Sequence, residues 1–188
     1  MKFLLETQRL ILRSFEEGDA ERFAEYRSDP AVARYQGWDA PFSLTQAKQF
    51  LDVLSQTKPG TPGEWFQIAL QLGASGELIG DCAFCVLDNE PRQAEIGFTL
   101  AQPYQHCGYA VEAVTRMMDY LFNDLHLHRV RAICDVENLA SVRVLERLGL
   151  RQEGRLLDNV WFKGRWSSEY VYAILESEWR AQRAGDTP

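Results

Sequence analysis

The six residues Gln105-His106-Cys107-Gly108-Tyr109-Ala110 have the types and spacing to hold a phosphate. Backbone N–H groups converge on an anion only where side chains leave room, and Gly108 and Ala110 leave it. A helix opening at Tyr109 would add its unpaired N–H groups and the positive end of its dipole. His106 falls inside this turn, so its backbone N–H matters more than its ring. His126 and His128 flank the end of the same helix, where a cation suits the negative dipole end, and they read as structural. The remaining reactive side chains do not form a metal site. Cys82 and Cys85 lie in an apolar run of strand character, where residues three apart point to opposite faces, and no second cysteine pair completes a zinc set. Reduced, mostly buried cysteines and no metal are expected.

A phosphate turn needs elements on both sides to aim it. Upstream, Ala94 to Ala101 alternates, with Ile96, Phe98 and Leu100 on one face of a strand that Pro103 ends. Downstream, Ala110, Ala113, Val114, Met117, Met118, Leu121, Phe122 and Leu125 recur at three- and four-residue steps on one helical face. The order is therefore strand, turn, helix, and the next strand, Val130 to Asp135, makes the unit a parallel crossover.

Elsewhere the pattern predicts a first strand from Thr7 to Phe15 and a helix from Asp19 to Ser28. A second helix runs from a capping box at Ser43-Leu44-Thr45-Gln46 to about Thr57. A loop at 58–63 precedes a hairpin of Trp65–Leu72 and Glu77–Leu87. A short helix opens at Asn138 and ends at Gly149, and a last hairpin turns at Lys163-Gly164-Arg165. Parallel and antiparallel connections together call for an α+β fold with a mixed, mostly antiparallel central sheet flanked by helices. One domain over residues 1–180 is expected, with 181–188 as a frayed tail.

Gln105-x-x-Gly108-x-Ala110 after a strand resembles the pyrophosphate loop of the GNAT acetyltransferase superfamily, Gln/Arg-x-x-Gly-x-Gly/Ala. Three further segments strengthen the resemblance and narrow it to the subgroup of Rim-type N-terminal alanine acetyltransferases. They are Thr7-Gln8-Arg9-Leu10-Ile11-Leu12-Arg13, Asn138-x-x-Ser141, and Gly149-Leu150-x-x-Glu153-Gly154. The resemblance spans roughly residues 3 to 176. It implies a splayed parallel strand pair at the acyl-CoA site and transfer of an acetyl group from acetyl-CoA to a primary amine, with a protein N-terminus as the acceptor.

Carried onto this chain, the resemblance assigns the pyrophosphate to Gln105, His106, Cys107, Gly108, Tyr109 and Ala110. The pantetheine arm would lie along Phe98, Thr99 and Leu100, as a peptide adds to a sheet edge, and a strand N–H near Leu100 would polarise the thioester carbonyl. Asn138 would cap its helix and meet the arm. A reacting amine must be neutral, and α-amines titrate near ~8 against ~10.4 for lysine, so a base is useful. Glu95 is the first candidate, through water, with an ion-paired strand residue as the alternative; Asp135 and Glu137 follow. Ser141 is the candidate acid for the departing thiolate, with a simple capping role as the alternative. Many GNAT enzymes use a tyrosine here, but Tyr109 sits inside the loop. Arg143 and Arg147 follow one helical face from Asn138 and would reach CoA phosphates, with solvated surface arginines as the alternative, and Trp38 and Phe42 are candidate walls of the acceptor pocket, with core packing as the alternative.

Composition sets outer limits. A net charge of −7 argues against a nucleic acid partner, and no run approaches the ~20 apolar residues of a membrane span or a signal segment. A cytoplasmic protein is expected. Residues 1–94 hold 9 Lys+Arg against 14 Asp+Glu, and residues 95–155 hold 7 against 8. If that acidic half borders the acceptor, as it does in the proteins this chain resembles, it would favour a cationic amine, with a solvated acidic surface as the alternative. A small-molecule amine or antibiotic as acceptor, and a non-catalytic acyl-CoA sensor, stay open as alternatives. Dinucleotide binding is third, because the Gly-x-G-x-x-Gly spacing is incomplete. An exposed sheet edge would accommodate a homodimer.

Overall fold

A computed structural model describes residues 3–185. Eight strands form one sheet in the order β1-β2-β3-β4-β5-β6-β8-β7. They are β1 (Leu4–Glu6), β2 (Leu10–Arg13), β3 (Trp65–Leu72), β4 (Leu78–Leu87), β5 (Glu90–Leu100), β6 (Arg129–Asp135), β7 (Arg151–Phe162) and β8 (Arg165–Leu175). Every neighbouring pair is antiparallel except β5 with β6. The expected mixed sheet is therefore present, and the crossover that makes the one parallel pair carries the 105–110 turn.

The helices are α1 (Ala20–Arg27), α2 (Pro30–Ala33), α3 (Leu44–Gln56), α4 (Tyr109–Asn123), α5 (Leu139–Arg147) and α6 (Glu176–Gly185). The capping box of α3 forms as its spacing predicts, with Ser43 Oγ accepting from the Gln46 N–H and the Gln46 side chain accepting from the Ser43 N–H. Sheet periodicity sorts the core onto two faces. Phe66, Ile68 and Leu70 of β3 join Met117, Met118, Leu121 and Phe122 of α4, while Ala69 between them faces Phe23 and Leu51 of α1 and α3. Strand β4 is covered on both sides, which is why its sequence reads as nearly continuous apolar residues.

Several boundaries differ from expectation. The Thr7–Phe15 segment is not one strand: Thr7-Gln8-Arg9 is a turn between β1 and β2, because Thr7 bonds its own hairpin through the Leu10 N–H and carbonyl. β5 begins at Glu90, pairing across a tight Asp88-Asn89 turn despite Pro91. Residues 181–185 continue α6, anchored by buried Trp179 in the core beside Phe122, and 186–188 lie outside the described residues. No described helix is long and apolar enough to cross a membrane.

Candidate active site

Strands β5 and β6 pair only at Gln93–Arg129, Ala94–Val130 and Glu95–Arg131, although β5 continues to Leu100 and β6 to Asp135. Beyond those rungs the strands part. The backbone edge of β5 from Ile96 onward then has no strand beside it, and its polar groups are available to a ligand. Glu95 closes the inner end of this opening with a two-nitrogen ion pair to Arg131, at 2.9 and 3.0 Å.

The turn after β5 is built from local rules. A 3₁₀ turn at Gln102–Tyr104 redirects the chain, and the Gln105 side chain donates back to the Leu100 carbonyl at 3.0 Å. His106 and Gly108 then take positive φ of 63° and 82°, which brings successive backbone N–H groups to one side. Gly108 is the residue before α4, and its left-handed conformation is one that glycine adopts without strain.

Two grooves flank the parted strands. The first, ≈ 470 Å³, runs from Gln105, His106, Gly108 and Ala110 past Phe98, Thr99 and Leu100 to Asn138, Ser141, Arg143 and Arg147. The second, ≈ 180 Å³, is lined by Ile96, Gly97, Cys134, Asp135, Ser167 and Glu169 together with Phe162 of the last hairpin. Phe98, Asn138, Ser141, Tyr35 and Gln36 line both, so the grooves meet there. Asn138 caps α5, its side-chain oxygen accepting from the Ser141 N–H at 3.2 Å, and this holds Ser141 in the first turn facing the junction. Arg143 and Arg147 enter the first groove without an ion-pair partner among the described residues.

The second groove is acidic. Asp135 and Glu169 are directly opposite each other on antiparallel β6 and β8, an arrangement that is unfavourable for like charges. Ser167 donates to Asp135 and Asn159 to Glu169, yet neither carboxylate has a cationic side chain within 4.0 Å among the described residues. Burial first, and then these two carboxylates, push the Cys134 thiol up to about 11.

Not every residue expected at the site reaches it. Trp38 and Phe42 line neither groove. They pack on the buried Arg27 guanidinium, 3.9 and 5.4 Å from the ring centroids, because a desolvated cation with few hydrogen-bond partners gains from aromatic faces. Cys107 and Tyr109 belong to the turn but point away from the groove, Cys107 to solvent and Tyr109 under the Arg9 guanidinium at 4.3 Å. Glu95 is absent from both linings and is held by Arg131, the ion-paired alternative. Glu137 is tied to Arg165 at 2.7 Å.

The roof over the junction was missing from the sequence reading. Tyr35 and Gln36 follow α2, a four-residue helix whose Asp29 cap was not recognised. The Tyr35 hydroxyl donates to the Glu137 carbonyl at 3.2 Å, and Lys163 at the hairpin tip donates to the Ala33 and Trp38 carbonyls at 2.8 and 2.6 Å. Asp29-Pro30 was the available signal, an N-cap followed by proline at the first helical position.

With this geometry in hand, the comparisons with known proteins are consistent. The family described as acetyltransferase (GNAT) domain matches residues 9–151. The N-acetyltransferase p20 of Bacillus licheniformis is 33% identical over 175 residues, covering 93% of this chain and 97% of that protein. The ribosomal protein uS5-alanine N-acetyltransferase of Escherichia coli is 26% identical, covering 97% and 95%. A crystal structure of a GNAT-family acetyltransferase from Bacillus anthracis superposes with a TM-score of 0.83 at 32% identity, covering 94% of this chain and 100% of that one.

Proposed function

The chain belongs to the GNAT acetyltransferase family, and from that premise we propose that it moves an acetyl group from acetyl-CoA directly to a primary amine, with a protein N-terminal α-amine as the first acceptor to test. The observation that carries this reading is the meeting of the two grooves at Phe98, Asn138 and Ser141. One groove begins at a turn suited to pyrophosphate and the other ends in acidic residues, so donor and amine enter from opposite sides.

In this reading the pyrophosphate sits on the N–H groups of the 105–110 turn, and Arg143 and Arg147 take the outer phosphate charge. The pantetheine amides pair with the open edge of β5, whose N–H groups also polarise the thioester carbonyl. The amine lone pair forms the new C–N bond, the C–S bond breaks, and the thiolate takes a proton from Ser141, which recovers it from solvent. The proton lost by the amine passes through water to a carboxylate. Asp135 lines the acceptor groove and is the better placed base; Glu95 would act only after release from Arg131.

The relative named for the alanine of ribosomal protein uS5 supports an α-amine acceptor. The unneutralised Asp135 and Glu169 support a second reading, a small amine carrying a further positive charge. Thiol release from acetyl-CoA, measured with N-terminal peptides, polyamines and aminoglycosides, separates these readings. Release above background with one class assigns the acceptor, whereas tight acetyl-CoA binding with no release across the panel leaves a sensor. On a true acceptor, Asp135→Asn is expected to lower kcat/KM about 10²-fold or more and Glu95→Gln much less; the reverse order returns the proton to Glu95.

A further inference from the structure

The Thr7-Gln8-Arg9 turn lies outside both grooves, yet its polar groups converge on the phosphate turn. Arg9 donates through Nε to Glu112 Oε2 at 2.6 Å and through NH1 to the Cys107 carbonyl at 3.1 Å, with its guanidinium 4.3 Å from the Tyr109 ring centre. The Arg9 N–H and the Thr7 hydroxyl both donate to Glu112 Oε1, at 2.9 and 2.6 Å. Burial alone would make the Glu112 carboxyl harder to ionise, but these bonds from Thr7 and Arg9 hold it below the usual carboxylate range.

We infer that Arg9 is a positioning residue for the anion turn, acting through two effects. The first is geometric. In a planar trans peptide the carbonyl and the following N–H point in opposite directions, so an Arg9 that holds the Cys107 carbonyl aims the Gly108 N–H the other way, into the donor groove. The second is electrostatic. Glu112 lies in the first turn of α4, where it competes with a bound pyrophosphate for the same helix N-terminus. A free carboxylate there would repel the ligand; bound to Arg9, its charge is cancelled. Gly108 supplies the positive φ of 82° that this turn uses, and a Cβ at that position would sit in ordinary contact, 3.4 Å from the Arg9 guanidinium.

The inference rests on the acetyl-CoA reading, and its test separates the two. Calorimetry with acetyl-CoA and kinetics with acetyl-pantetheine, which lacks the pyrophosphate, are compared for wild type, Arg9→Ala, Glu112→Gln and the double variant. Arg9→Ala is expected to weaken acetyl-CoA binding about tenfold, to leave the KM for acetyl-pantetheine unchanged, and to regain at least about threefold when Glu112→Gln is added. Equal loss with both donors, or binding within twofold of wild type, overturns the positioning role. A double variant no tighter than Arg9→Ala overturns the charge cancellation. If Arg9→Ala does not fold, Arg9→Lys keeps the charge but loses the fork, and the same donor selectivity is required of it. A wild-type protein that binds no acetyl-CoA rejects the underlying reading as well, whereas tight wild-type binding with a flat variant series rejects this inference alone.

Discussion

Cys107 and Cys134 show how placement separates two chemically identical side chains. Cys107 is exposed on the phosphate turn, while Cys134 is half-buried beside two carboxylates with its thiol pushed up to about 11. At neutral pH, where the thiolate is the reactive form, iodoacetamide is expected to label Cys107 first among the four cysteines. Because that side chain faces away from the first groove, saturating acetyl-CoA should leave the labelling rate nearly unchanged, as read by peptide mass spectrometry; strong protection would put the donor on the solvent side of the turn. Gly97 makes a second point at this scale. A Cβ there would meet no neighbour within 4 Å, so the second groove is open partly because one strand residue lacks a side chain. Gly97→Val should fill that space and raise KM for the amine about tenfold or more, with acetyl-CoA affinity by calorimetry unchanged. The turn at 105–110 was legible in the sequence because its conformation requires small residues at fixed spacing. Trp38 and Phe42 take the core-packing alternative, because a buried cation, Arg27, draws aromatic faces as strongly as a ligand pocket would, and letters do not distinguish the two.

At the scale of elements, the junction of the two grooves depends on segments that contribute little regular structure of their own. The roof residues Tyr35 and Gln36 sit between α2 and α3 and are fastened at the hairpin tip by Lys163, whose ammonium holds two carbonyls on that segment. Charge-assisted bonds of this kind contribute about 1.5–3 kcal/mol each where water is excluded, and less at a partly exposed tip such as this. Lys163→Ala is therefore expected to raise amide hydrogen exchange across residues 33–38 and to raise KM for both substrates, with little change in the exchange of α4. Uniform exchange in wild type and variant would show that the hairpin does not hold the roof. Strands β3 and β4, helix α3 and its capping box were readable because each follows from a local period or a local cap. The break at Thr7-Gln8-Arg9 was not, because it depends on where the Thr7 side chain finds partners, and one of those lies 105 residues away on Glu112.

For the whole molecule, the first groove draws on β5, the 105–110 turn, α4, α5 and the segment after α2, so a ligand filling it would contact several elements at once. A ligand that binds only the folded state at 100 times its Kd stabilises by about 2.7 kcal/mol, which for a domain of this size corresponds to a rise in Tm of roughly 5–11 °C. Acetyl-CoA should produce such a shift by differential scanning, and acetyl-pantetheine a smaller one; no shift at saturating acetyl-CoA would count against the donor assignment. By itself the sequence determined the strand, turn and helix around Gly108, the cap at Asn138 that sets Ser141, and the mixed sheet, since each rests on steric or hydrogen-bonding rules within a few residues. Tertiary structure alone decided at which rung β5 and β6 part, that Asp135 on β6 meets Glu169 on β8, that Arg131 takes Glu95, and that Arg9 reaches the 105–110 turn. Those outcomes depend on strand register and on which side chains arrive from distant segments, and neither quantity is written in local spacing.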